Sequence, residues 1–335
     1  MRRFFLTLCL LMALFSCNTK VDLFSDSGPK TIVYSVIDTE ADTNFFKITK
    51  TFVGDASVLA QDYEACNYRY DEIDVSLVRI KTNDSIHLDT VSKWIPYDAN
   101  SLFYSGRRQV YYYTTNRIFP GNDYKLVIVR NDGEVIESTI KTINTHKFIF
   151  PEHEQSVSWT KKRDSLKWEV PDQSTNYQSV AAYLNVNGIF HYKELMPGAA
   201  DTVEREILFD LKSGESGDMY NLRTHNYKVV FSPEKLFEIF GKDEYLVNNS
   251  PAGVRRFVEK FEFRISGMGQ NMYEYIAANN SDISFQQPPA YSNIKNGVGL
   301  FSTRFQKSQF NKLNQVTRRK ITNDYPFGFE YDPNW

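Results

Sequence analysis

From Thr31 onward, apolar and polar residues alternate in short runs, and a period of two is that of strands buried on one face. In the first half the segments 31–37, 44–50, 74–80, 85–91, 109–115, 124–130 and 134–143 read as strands. Pro120-Gly121-Asn122-Asp123 and Asn131-Asp132-Gly133 supply turn chemistry between the last of them. In the second half, 165–170 carries Trp168, and 203–211, 227–231 and 257–265 alternate cleanly. The pattern over 180–186 and 189–192 predicts a hairpin turning at Gly188. A helical period shows in two places. Ser232-Pro233-Glu234 opens a helix with Leu236, Phe237 and Phe240 on one face and Gly241 as its stop, and 271–278 turns Met272, Tyr275 and Ile276 inward.

These elements predict a mainly β chain of two immunoglobulin/fibronectin III-like β-sandwiches, with one or two short helices in the second. The run from Pro120 to Ile128 with its following hairpin resembles the last strands of a fibronectin type III domain. The first sandwich is expected at 31–147 and the second at 148–303, with a C-terminal extension at 304–335.

Upstream of the strands the pattern changes. Arg2 and Arg3 precede an apolar run over 4–15, then Ser16 and Cys17. A positive end, a short apolar core and a small residue before a cut are the marks of a secretory signal peptide, expected at 1–16. Leu14-Phe15-Ser16-Cys17 resembles the lipobox of bacterial lipoproteins, which implies that Cys17 becomes a lipidated N-terminus. Segment 17–30 then reads as the lipidated Cys and a polar tether. The implied partner is a lipid bilayer reached through acylated Cys17. An Asp after the Cys would suggest retention in the inner membrane; Asn18 stands there and leaves sorting to the outer membrane open, which is the expected location.

Composition narrows the function classes. The 335 residues carry a net charge of −2, and without Arg2 and Arg3 the 37 basic residues face 41 acidic ones, a net −4. That is no footprint for nucleic acid. Of three cysteines, Cys9 leaves with the leader and Cys17 is lipidated, so Cys66 alone remains a thiol and is expected half-buried and inert. Aromatic residues make up 15% of the chain, an enrichment that favours strands and also suits a binding surface. Alternation places at least one of Tyr111, Tyr112 and Tyr113 outward on a strand, which makes them the candidate ligand-binding residues.

Reaction motifs are sparse. The five histidines form no dense ligand cluster, and Glu152-His153-Glu154 with His146 reads as a solvated linker between domains. No Gly-x-Ser-x-Gly elbow occurs. Asp71, Glu72 and Asp74 serve glycoside hydrolysis only if a cleft brings two carboxylates together. No cofactor is expected, and no enzymatic activity. Asp84-Ser85-Ile86, Asp89-Thr90-Val91, Asp164-Ser165-Leu166 and Asp201-Thr202-Val203 resemble periplasmic O-glycosylation acceptors, which implies that Ser85, Thr90, Ser165 and Thr202 are exposed.

Two C-terminal segments, Gly269-Gln-Asn-Met-Tyr-Glu-Tyr-Ile276 and Pro288-Pro-Ala-Tyr-Ser-Asn-Ile-Lys-Asn-Gly-Val-Gly-Leu-Phe301, resemble the signature of an uncharacterised family of Bacteroidota outer-membrane lipoproteins. In that signature a Ser-Asn-Ile and a Gly-x-Gly precede an aromatic residue. Physically, Gly297 and Gly299 allow close backbone approach while Leu300 and Phe301 pack inward. The resemblance implies binding of a ligand or of a TonB-dependent transporter in surface nutrient uptake. A structural or adhesive surface protein is the alternative, and a hydrolase the third.

Overall fold

The computed structural model describes residues 28–51, 66–69, 71–96, 107–171, 181–221, 225–248, 251–280 and 291–330. Cys17, the expected signal peptide and most of the expected tether lie outside the described residues. The fold is mainly β. The first half contains β1 (Thr31–Asp38), β2 (Asn44–Lys50), β3 (Ile73–Arg79), β4 (Asp84–His87), β5 (Asp89–Ile95), β6 (Arg107–Thr114), β7 (Asp123–Arg130) and β8 (Val135–Lys141). The second contains β9 (Lys147–Phe150), β10 (Asp164–Glu169), β11 (Ala181–Leu195), β12 (Thr202–Glu215), β13 (Tyr220–Asn221), β14 (Asn226–Phe231), β15 (Arg255–Gly269), β16 (Gly297–Asn311) and β17 (Phe329–Glu330). Among the described residues five short helices, all in the second half, are α1 (Ser216–Met219), α2 (Glu234–Phe240), α3 (Glu244–Asn248), α4 (Gln270–Asn280) and α5 (Gln315–Asp324).

In the first sandwich β1-β2-β6-β5 faces β4-β3-β7-β8. Lettered A to G, with β4 as the extra C′ strand, these are the A-B-E-D and C′-C-F-G sheets of immunoglobulin-like domains. The inner residues obey the alternation: Val33, Ile37, Phe46, Ile48 and Tyr112 meet Val75, Leu77, Leu126, Ile128 and Ile136. Tyr124, at the start of β7, is buried, and its hydroxyl accepts the Phe119 backbone N–H at 3.0 Å. That contact pins the corner between β6 and β7 in the manner of a tyrosine corner. The segment expected as one strand at 85–91 is two strands in different sheets. Leu88 between them is buried, and the chain changes sheet there.

The second sandwich is built on longer strands. β12-β11-β15-β16 faces β13-β14-β10-β9, and α2 and α5 add to its core. Trp159 is the hub, with the rings of Phe190, Phe209, Phe237, Phe240 and Phe261 at 5.4–6.3 Å. Such pairs add about 0.5–1.5 kcal/mol each beyond burial. Trp168 stacks on Tyr227 at 5.4 Å. Leu236, Phe237 and Phe240 bury the expected face of α2, and Gly241 follows its last residue. Ser232 does not cap this helix; its hydroxyl donates to the Lys162 carbonyl at 2.6 Å.

Three further expectations are corrected. Gly188 does not turn a hairpin but lies inside the fifteen-residue β11. The Phe261 ring lies 2.5 Å from where a Cβ on Gly188 would stand, so the glycine makes room for a core ring. The boundary at 303/304 falls inside β16, and the chain beyond it is no appendage. Leu313 and Ile321 are core residues, and the Thr317 hydroxyl accepts the Trp159 N–H at 2.9 Å. His146 is not in a solvated linker: it is 1% exposed and packs flat on Phe305, whereas His153 and its two acidic neighbours are exposed.

The two halves have separate cores but share one sheet. β16 pairs antiparallel with β15 on one side and parallel with β1 on the other, so the order β12-β11-β15-β16-β1-β2-β6-β5 is continuous. Phe301 on β16 belongs to the first core and Phe305, four residues further along the same strand, to the second. Gly299 makes the joint possible. Its φ is +117°, and a Cβ there would stand 2.0 Å from the Val33 carbonyl oxygen of β1.

Candidate functional site on the outer face of the long sheet

Both cores use the inner face of the long sheet. Its outer face carries the side chains of opposite parity, and there the chemistry collects. On β6, Tyr112 points into the first core at 2% exposure, and Tyr111 and Tyr113 point outward, half-buried. The expected trio is therefore split: two tyrosines stay on the candidate surface, and Tyr112 is a core residue. Burial pushes the Tyr112 hydroxyl well above the usual phenol range, and it has no hydrogen-bond partner among the described residues.

Neighbouring strands complete the patch. Phe45 on β2 stands opposite Tyr113 in register and is 40% exposed. Its ring lies 6.3 Å from that of Tyr111 and 6.0 Å from that of Tyr113. Lys93 on β5 holds its ammonium 4.1 Å over Phe45, and Lys47 on β2 sits 4.8 Å over Tyr111. Lys47 also donates to the Val110 carbonyl at 3.3 Å, and burial lowers its ammonium to about 8. Tyr34 on β1 extends the row toward α4, where Tyr275 meets it edge-on at 6.3 Å. Sequence reading finds Tyr111 and Tyr113 by alternation. Ile48, two residues beyond Phe46, turns Phe46 inward and leaves Phe45 outward, but a single outward Phe marks no binding surface by itself.

Helix α4 lies across this face over β16. Beneath it Leu300 and Ser302 are buried, and Ser302 Oγ accepts the Met272 N–H at 3.1 Å. The Asn293 side chain bonds both the N–H and the carbonyl of Phe301, at 2.9 and 2.7 Å. The Ser-Asn-Ile and Gly-x-Gly segments thus tie the helix side of the sheet to the β1–β16 joint.

On the far side of α4 is a hollow of about 330 Å³, bordered by Tyr183, Asn185, Ser266, Met268, Met272 and Gln306. Asp38 and Arg304 close one end and pair at 3.3 Å. Tyr183 stacks on Tyr273 of α4 at 5.8 Å. Further along the same face Glu262 is buried. Burial by itself would raise its carboxyl, but hydrogen bonds from His191, Arg264 and Ser308, at 2.7, 2.7 and 2.6 Å, hold it at about 2. His191 and Ser308 each bond an oxygen of Glu262, so the group is a clamped carboxylate and not a nucleophile–base relay.

The remaining candidates are dispersed. Asp74 pairs with His87 at 2.9 Å and Glu72 with Lys50 at 2.9 Å, each explained by its ion pair. Among the described residues no three His, Cys, Asp or Glu side chains gather as a metal site. Cys66 is half-buried. Ser85, Thr90 and Thr202 are exposed, but Ser165 is half-buried on β10 opposite Val230, which corrects the expectation for that residue. No described helix is long and apolar enough to cross a membrane. No protein-family model and no curated protein sequence matches the chain.

Proposed function

We propose that this chain is an outer-membrane lipoprotein, held by acylated Cys17, that binds a ligand or a TonB-dependent transporter during surface nutrient uptake. The observation that carries the reading is the outer face of the long sheet. Phe45, Tyr111 and Tyr113 stand there, with Lys93 over Phe45 and Lys47 over Tyr111, although both cores lie on the opposite face. Large aromatic surface with a polar handle is the composition of partner and ligand surfaces. The basic, apolar and small-residue order of 1–17 supports the anchor, because acyl chains on a Cys hold a folded domain at a bilayer.

Fractionation and copurification test the two parts separately. Wild-type protein should pellet with outer membranes and Cys17→Ala should be released; a variant that still pellets refutes the anchor. Affinity purification from detergent-solubilised membranes should recover a TonB-dependent transporter with the wild type and less of it with Phe45→Ala/Tyr113→Ala. Recovery of none refutes the uptake reading in favour of a structural or adhesive role.

A further inference from the structure

We propose that the hollow beside α4 binds an uncharged, polyhydroxylated ligand: a segment of a neutral oligosaccharide. The proposal rests on the reading of the chain as a binding protein and names the ligand class of one part of that face.

Three observations lead to it. The first is a polar row. Asn185 on β11, Ser266 on β15 and Gln306 on β16 are direct partners in register, so their side chains stand side by side across three strands. Adjacent strands are about 4.8 Å apart. Ser213 on β12 extends the row and donates to Asn185 Oδ1 at 3.0 Å, so the Asn185 amide keeps its nitrogen as a donor. Amides and hydroxyls both donate and accept, as sugar hydroxyls do, so a row of them can satisfy successive hydroxyls of a saccharide.

The second observation is the wall. Tyr183, backed by Tyr273, and the thioethers of Met268 and Met272 give the hollow apolar sides. A pyranose ring is apolar along its C–H faces and polar at its rim, and needs both kinds of contact at once. A cavity of about 330 Å³ is within the range of small-ligand sites, roughly 300–1,000 Å³.

The third is charge. The two charged residues that line the hollow, Asp38 and Arg304, pair with each other at 3.3 Å, and Glu40 pairs with Lys307 at 3.3 Å. A charged ligand would have to break a pair to find a counter-ion, whereas a neutral one meets charges that are already paired.

Titration calorimetry of the processed chain with cellohexaose, xylohexaose, mannohexaose and maltohexaose, and with hexagalacturonate as an anionic comparison, tests this. At least one neutral hexasaccharide should bind, with hexagalacturonate weaker. Gln306→Ala and Asn185→Ala should each weaken binding about tenfold, the loss expected for one or two hydrogen bonds, at unchanged melting temperature. The proposal is overturned if no neutral hexasaccharide binds at millimolar concentration, if hexagalacturonate binds more tightly, or if both alanine variants bind as the wild type does. Transporter copurification, read on the same variants, is independent of this outcome. A negative titration with the transporter still recovered removes the saccharide and leaves the uptake reading standing.

Discussion

His146 lies flat on Phe305, with ring centroids 4.0 Å apart and planes within 14°, at the seam where the chain passes from the first core to the second. Burial lowers the imidazole to about 3, so the ring is neutral in the folded protein over the whole physiological range. In the unfolded chain it titrates near 6.5. Between these values the unfolded state binds the proton and the folded state does not, so stability falls as pH falls from about 6.5 toward 3. His146 should cost the protein about 2 kcal/mol between pH 7 and pH 5. In urea titrations at both values, His146→Phe should shrink the difference by about that amount, and an unchanged difference would contradict it.

The β1–β16 joint depends on Gly299, where backbone conformation and close approach coincide. Gly299→Ala sets a methyl 2.0 Å from the Val33 carbonyl at φ +117°, and should cost at least about 3 kcal/mol or prevent folding. Gly133→Ala is the control: φ is +86°, but open space surrounds the new methyl. It should cost only about 1–2 kcal/mol. Thermal unfolding of the two variants separates close approach from backbone strain.

Glu194 and Arg256 form an ion pair with both side chains fully buried, 2.7 Å apart. Tyr245 donates to the same carboxylate at 2.6 Å, and the Arg256 guanidinium also donates to the Phe327 carbonyl. Arg205 also approaches Glu194, at 3.5 Å, so Glu194→Leu, which takes the carboxylate from the buried Arg256, should cost about 3–5 kcal/mol, and Arg256→Met somewhat less. Combining Glu194→Leu with Arg256→Met should recover most of that loss. Additive losses in a double-mutant cycle would argue against the pairing.

Tyr112 and its neighbours should respond differently to alanine: Tyr112→Ala opens a cavity in the first core and should cost about 3–5 kcal/mol. Tyr112→Phe removes a buried hydroxyl that has no partner among the described residues, and should leave stability unchanged or raise it by about 1 kcal/mol. Tyr111→Ala and Tyr113→Ala should change melting temperature little. Equal destabilisation by all three would place them on one packed face, contrary to their alternation.

The sequence by itself determined much of the local structure. Alternation located most strands of the first half within a residue or two, because one buried face imposes a period of two on the side chains. It also sent Tyr112 and its two neighbours to opposite faces of β6. The pattern over 232–241 located α2 and its buried residues, and the apolar run before Cys17 is a property of the chain alone.

Tertiary structure decided the rest. Gly188 is punctuation by local rules, but in β11 its missing side chain makes room for the Phe261 ring, a partner about 70 residues away. His146 looked solvated among charged neighbours until Phe305, about 160 residues away in sequence, covered it. The seam between two predicted domains became one sheet because β16 pairs with β1, a parallel contact that no local pattern encodes. The hollow was hidden for the same reason. Asn185, Ser266 and Gln306 are isolated polar residues on three strands, and only cross-strand register sets them in a row.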